Sequence, residues 1–211
     1  SDCALLKFGM KDIPAFREEK FMTAKRTFLS AIHFNLSAIH DFDGSTTNLS
    51  QTWDDVADQL HSDKDFGVQI KRGVSFFPRV LDTLVSADDD RILKAKKIYA
   101  FIRNWYKWDG YRGFLCKAGI KKAFEAHTGN IADINLSLVA ALRTAGLNAY
   151  PVLISTRDNG VPNLYYPVVS DFNYVLARLE IDNAFYILDA SSPELPFGLF
   201  PIACISDFAK I

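Results

Sequence analysis

Gly129-Asn130-Ile131-Ala132-Asp133-Ile134-Asn135-Leu136-Ser137-Leu138-Val139-Ala140-Ala141-Leu142-Arg143-Thr144-Ala145-Gly146 is the stretch that decides the architecture. From Ile131 to Ala145 it reads as a helix. Ile134, Leu136, Leu138, Val139, Ala140, Ala141 and Leu142 leave it apolar on nearly every side until Arg143, and a helix of that kind is buried all round. Asn130 and Asp133, three residues apart, suit a cap on the free N–H groups of the first turn, where an acid also favours the positive end of the dipole. Gly146 stands where a left-handed residue ends such a helix.

Toward the C-terminus, Ala149–Ser155 reads as a strand, Arg157-Asp-Asn-Gly160 as a turn and Val161–Asp171 as a long loop holding Tyr165 and Tyr166. Two further strands, Asn173–Glu180 and Ala184–Asp189, are joined at Ile181-Asp-Asn-Ala184, a good hairpin signal. Toward the N-terminus come a short helix near Ile120–Ala126 and an aromatic, glycine-rich loop from Trp105 to Gly113. Before them lies a helix opening at Ser86, with Asp88, Asp89 and Asp90 in its first turn and a stripe of Ile92, Ala95, Tyr99, Ile102 and Tyr106. Further helices are expected at about Phe77–Val85 and at Trp53–His61, the latter capped by Thr52. Residues 1–50 look like the tail of a β-rich unit, because Phe28–Ile39 alternates partly with period two. The fold expected is α+β: a buried central helix packed on an antiparallel sheet, preceded by helices and a short β-rich N-terminal segment.

The chain has 211 residues, 24 Lys and Arg against 25 Asp and Glu, and 49% hydrophobic residues, the profile of a folded globule. A net charge of −1 argues against a nucleic-acid partner, which would need clustered cations. Cys3, Cys116 and Cys204 are odd in number and widely spaced, so neither a disulfide framework nor a metal site is indicated, and no cofactor is implied. No apolar run reaches the ~18 residues of a membrane span. The start at Ser-Asp-Cys suggests a processed or excised piece of a longer protein.

A buried helix opening at a Gly-x-x-x-Asp step, a strand, a loop, a strand opening near Phe172-Asn-Tyr-Val175 and a strand ending in Leu188-Asp-Ala-Ser191 resembles the transglutaminase-like superfamily, whose core is papain-like. The resemblance covers about 88–193, within an expected domain of 51–211. In that family the helix usually opens Gly-Asp-Cys-x-Asp and the later strand carries Asn-His-Val. Here Ile131 stands at the cysteine position, Tyr174 at the histidine position, and only the aspartate is kept, as Asp189.

The chemistry makes those losses decisive. The family's nucleophile is a thiolate favoured by a helix N-terminus, and its base is an imidazole held by a carboxylate. Isoleucine has no nucleophilic atom, and a phenol with an ordinary pKa near ~10 is a poor base at neutral pH. No histidine follows His127. The resemblance therefore implies a domain without catalytic residues. It narrows to a bacterial subgroup with the same substitutions, carried by Ala132–Leu136, Gly146–Arg157, Phe172–Val175 and Leu195–Leu199, in which the core follows a β-rich domain in a secreted or envelope-associated, extracytoplasmic protein. The partner would be a protein, a peptide, a glycan or neighbouring domains of the same polypeptide.

Candidate groove residues are Asp133, Asn173, Trp105, Trp108, Tyr165 and Tyr166. Asp133 reads more readily as a capping residue, and the aromatics as core packing. Asp189 either orients a side chain such as the Tyr174 hydroxyl or opens the turn at Ser191-Ser-Pro193. The rival reading is a cysteine-dependent hydrolase or acyltransferase with a displaced nucleophile such as Cys116. Ile131 and Tyr174, being packing groups in place of reactive ones, are expected to plug the former cleft.

Overall fold

The computed structural model describes residues 5, 7–20, 22–32, 34, 36–48, 51–163, 165–205 and 209–210, so Cys3 and His33 lie outside the described residues. In the N-terminal stretch the long strand expected over 28–39 does not form among those residues. Only β1 (Ala38–His40) is strand, pairing antiparallel with β2 (Thr46–Asn48) across a short turn. Phe28, Ile32, Phe34 and Leu36 remain exposed, because alternation alone does not make a strand without a sheet to bury it on.

Helix α1 (Trp53–Ser62) opens on a full capping box: the Thr52 hydroxyl accepts from the Asp55 N–H and the Asp55 carboxylate accepts from the Thr52 N–H. The helix expected at 77–85 is displaced. Helix α2 runs over Gly67–Phe76 and a single turn, α3, over Pro78–Leu81. Pro78 has no N–H to continue α2 and its fixed φ starts a new turn instead. Helix α4 (Arg91–Trp105) is capped by Asp90, whose Oδ1 accepts from the Leu93 N–H at 2.7 Å, so the expected cap at Ser86 is also corrected. Ser86 belongs to the preceding turn, its N–H held by Asp89.

A two-residue strand, β3 (Lys107–Trp108), pairs in parallel with β4 (Thr128–Gly129) beyond α5 (Ile120–Ala126). Helix α6 (Ile131–Thr144) then passes through the core, every residue from Ile131 to Leu142 buried. It ends as expected: Gly146 has φ +76°, the Gly146 N–H bonds the Arg143 carbonyl and the Leu147 N–H reaches back to Leu142, a Schellman closure. Strands β5 (Asn148–Ile154), β6 (Tyr174–Ile181), β7 (Ala184–Leu188) and β8 (Ala209–Lys210) make an antiparallel sheet in the order β7-β6-β5-β8. Positive φ at both Asp182 and Asn183 gives the β6–β7 hairpin the turn its sequence signals.

Helix α6 packs on β5 and β6 on one side and on α2, α4 and α5 on the other. Val175, Ala177 and Leu179 are buried completely on the strand that it touches. The architecture is α+β, a buried helix between a helical layer and an antiparallel sheet. Among the described residues, no helix is long and apolar enough to cross a membrane.

Candidate functional site

The start of α6 is closed by its own neighbours. Asn130 Oδ1 accepts from the Asp133 N–H at 2.8 Å, and Asp133 Oδ2 accepts from the Asn130 N–H at 3.1 Å. The Asp133 carboxylate also takes the N–H groups of Gly119 and Ala118, at 3.0 and 3.3 Å. Asn130 Nδ2 donates to the Leu115 carbonyl, and the Ile131 N–H reaches the Tyr111 carbonyl at 3.4 Å. Loop 111–119 is thereby stitched across the helix N-terminus, where a nucleophile would need free N–H groups. Gly129 is required here, since a Cβ on it would lie 2.7 Å from Asp133 Cβ. Asp133 is wholly buried and its carboxylate is committed to capping and loop anchoring.

One turn further along α6, Asn135 lies on the same face as Ile131 and reaches the end of the sheet. Its Nδ2 donates to the Val175 carbonyl at 2.9 Å and to Asp189 Oδ1 at 3.0 Å, and its Oδ1 accepts from the Ala190 N–H at 2.9 Å. Asp189, fully buried just beyond β7, has its other oxygen on Tyr174, whose hydroxyl donates to Oδ2 at 2.6 Å. The Ser191 N–H donates to Asp189 Oδ1 at 2.8 Å, and the Ser191 hydroxyl lies 3.1 Å from that of Tyr174. Both readings of Asp189 hold at once: it orients Tyr174 and it opens the turn at Ser191. Tyr99 adds a tie from α4, its hydroxyl donating to the carbonyls of Asp189 and Leu195.

Burial, and then the Asp189 carboxylate, push the Tyr174 phenol well above its ordinary range, so it is a neutral donor at physiological pH. Ile131 is 1% exposed and Tyr174 4%. The side chains at the three motif positions are therefore packed away from water, with Tyr174 and Asp189 bonded to one another and tied to α6 through Asn135.

Neither described cysteine resembles an activated thiol. Burial, reinforced by the Asp133 carboxylate, pushes the Cys116 thiol far up. Cys204 is pushed up to about 12, chiefly by burial and then by Asp189. His127 caps α5 in a left-handed conformation, its ring against Trp105 at 4.1 Å between centroids.

The aromatic candidates are spread out. Trp105 stacks on Phe124 at 4.7 Å and donates to the Phe124 carbonyl, and it lines a depression of about 400 Å³ with Leu84, Lys97, Phe101 and Asn104. Trp108 donates to the Tyr111 carbonyl from an exposed position. Tyr165 is 90% exposed on the 161–171 loop and Tyr166 is exposed beside it. Half-buried Asn173 bonds both the Thr156 N–H and its hydroxyl, fixing the start of β6 against the turn after β5. A cavity of about 690 Å³ lies at the hairpin end of the sheet, lined by residues such as Arg91, Arg178, Glu180 and Phe185, apart from positions 131, 174 and 189. Among the described residues, no three His, Cys, Asp or Glu side chains are grouped to hold a metal ion. Asn135 and Ser191 fall inside the stretches that carry the resemblance but are not among its candidate site residues. A lone amide in an otherwise apolar helix was the signal for the first, since a buried amide must find partners.

No family model and no curated protein matches the chain. Solved structures similar to it include a Parabacteroides distasonis protein named for a proposed protease activity, at a TM-score of 0.48 and 13% identity, covering 65% of this chain and 25% of that one. Another, described as a TGase, is similar at a TM-score of 0.40 and 13% identity over 78% of this chain and 44% of its own. The chain spans a quarter of the first and less than half of the second.

Proposed function

We propose that this chain is a transglutaminase-like domain whose reactive centre has become a structural plug, and that it serves as a binding or scaffold module within a larger, extracytoplasmic bacterial protein. Its partner is a protein, peptide or glycan, or a neighbouring domain of the same polypeptide. The observation that carries the reading is the Tyr174–Asp189–Asn135 network: the retained carboxylate is saturated by a phenol, an amide and a backbone N–H, and the nucleophile position holds buried Ile131. An imidazole base and a thiolate have no counterpart there.

The rival, a hydrolase or acyltransferase acting through Cys116, needs an accessible thiolate near neutral pH, and the burial and carboxylate neighbour of that thiol oppose both requirements. Iodoacetamide labelling of a Cys3→Ser chain at neutral pH tests the choice, alongside incorporation of an amine into a glutamine-containing protein. The expected result is no incorporation and slow alkylation of Cys116 and Cys204 until the chain is unfolded. Rapid modification confined to Cys116, or amine incorporation that its removal abolishes, would establish the enzyme instead.

A further inference from the structure

Strand alternation gives the sheet a second face. Val175, Ala177 and Leu179 take the side of β6 that packs on α6, so Arg178 and Glu180 take the other. The registers extend that second face into a row: Asn148 on β5 stands across from Glu180, and Glu180 across from Phe185 on β7. With Arg91 from the start of α4 and Asp182 from the β6–β7 turn, these residues line the cavity of about 690 Å³ at the hairpin end of the sheet. That volume lies within the ~300–1,000 Å³ of small-ligand sites. The charges in the lining are paired with one another. Arg178 Nη2 lies 2.7 Å from Glu180 Oε1, and Arg91 Nη1 lies 3.6 Å from Asp182 Oδ1, so two cations face two anions. An ionic ligand would have to compete with one of those pairs, and a purely apolar one would strip water from all four groups. Phe185 adds the one broad apolar surface. The Arg178 guanidinium lies 5.1 Å from its ring centroid, and 64% of the residue stays exposed.

We infer that this cavity binds a neutral saccharide, with one pyranose ring laid against Phe185 and its hydroxyls shared among Glu180, Arg178 and Asn148. Three properties of the lining select that chemistry. Balanced charge asks for a neutral ligand. An acid, a base and an amide in one row ask for groups that both donate and accept, as hydroxyls do, and a guanidinium with five donors beside a carboxylate with about four acceptor positions can serve them without parting. An exposed aromatic ring at the end of that row asks for a ligand with an apolar face, which the C–H groups on one side of a pyranose provide. A peptide strand would instead seek the backbone groups of a sheet edge, whereas this cavity opens among side chains on a sheet face. The assignment rests on the reading of the chain as a binding module and selects the glycan among its partners.

The test is an NMR titration of the isotope-labelled 211-residue chain with maltohexaose, cellohexaose, mannohexaose and xylohexaose, each to ~10 mM, following backbone amide shifts. At least one of the four is expected to give saturable shifts centred on residues 148–150 and 178–185. Phe185→Ala is expected to weaken that binding by ~10-fold or more, and Arg91→Ala, at the rim, by ~3-fold. Both side chains are exposed, so both variants keep the fold, which their spectra verify. Because no counterion is displaced, the affinity should change by less than ~2-fold between ~20 mM and ~500 mM salt. An oligogalacturonate and adenosine provide the acidic and the flat aromatic alternatives. The inference is overturned by the absence of shifts with all four neutral sugars, by shifts centred elsewhere, by binding that Phe185→Ala leaves intact, or by binding confined to oligogalacturonate or adenosine. None of these outcomes bears on the alkylation and amine-incorporation assays, which decide between binding module and enzyme separately.

Discussion

The Tyr174 hydroxyl donates a 2.6 Å hydrogen bond to Oδ2 of Asp189, and both side chains are buried. With Asn135 and Ser191 on the other oxygen, a buried charge is satisfied without water. Tyr174→Phe keeps the ring and removes one donor from that charge. It is expected to destabilise the fold by roughly 1.5–3 kcal/mol, the usual scale for hydrogen bonds to charged groups. Urea denaturation at neutral pH measures it, and a loss under about 0.5 kcal/mol would mean that Asp189 does not depend on the phenol.

Ile131 sits at the first turn of α6 with essentially no exposed surface. Truncation to alanine leaves a cavity among atoms held by the capping box on one side and the sheet on the other. The expected cost is about 2–5 kcal/mol, read from the same denaturation experiment. A residue kept for contact with a ligand would be exposed, and its truncation would fall within the small range of surface substitutions.

What the sequence disclosed was what local chemistry dictates. Asn130 and Asp133 name the start of α6 and Gly146 its end, and Asp182-Asn183 name the hairpin, because each depends on groups within a few residues. The helix boundary at Phe77 was set by Pro78 against an apolar pattern that runs through it, and the 28–39 alternation lacked a partner strand. In the site, the Tyr174–Asp189 hydrogen bond joins segments that only the folded sheet brings together. Asn135 is legible only as the one amide of α6, and its partners on β6 and just beyond β7 are set by the fold.

Cys204 gives the site a pH dependence. Its thiol, ordinarily near 9, is pushed up to about 12 by burial and by Asp189. Between those values the unfolded chain has lost the proton that the folded chain keeps, so unfolding releases it and stability falls as pH rises. The contribution is complete below pH 9 and is lost progressively toward pH 12. One such group changes stability by ~1.4 kcal/mol per pH unit. Tyr99, raised from 10.0 to about 12 by burial, adds a loss of the same sign that begins a unit higher. Cys116, pushed up further by burial, adds an equal loss from pH 9, so Cys204→Ser is expected to reduce the slope over the first unit above pH 9 by about half, compared by urea denaturation at matched pH. Identical slopes in the two chains would show that Cys204 titrates as it does when unfolded.

The final prediction concerns how much of an active centre remains. Asp189 already points a carboxylate oxygen at residue 174 and Asn135 holds it there, so an imidazole placed by Tyr174→His would meet an orienting partner. The helix N-terminus is less favourable: the Ile131 N–H goes to Tyr111 and loop 111–119 is anchored over it through Asp133 and Asn130. A cysteine at 131 would gain from the dipole and from a neighbouring imidazolium but lose by desolvation. In a background without the native cysteines, Ile131→Cys with Tyr174→His should therefore alkylate faster at neutral pH than Ile131→Cys alone, with a thiol pKa below the ordinary ~8.5. Amide or ester hydrolysis should remain absent, because turnover also needs a substrate groove and an oxyanion hole, where one missing donor can cost ~100-fold. The pH dependence of the alkylation rate separates the two effects, since an imidazole partner shifts the profile and mere exposure raises it uniformly. Equal rates and equal profiles for the single and double variants would mean that side chains 131 and 174 do not reach each other, and the reading of Ile131 and Tyr174 as a replaced nucleophile and base would be wrong.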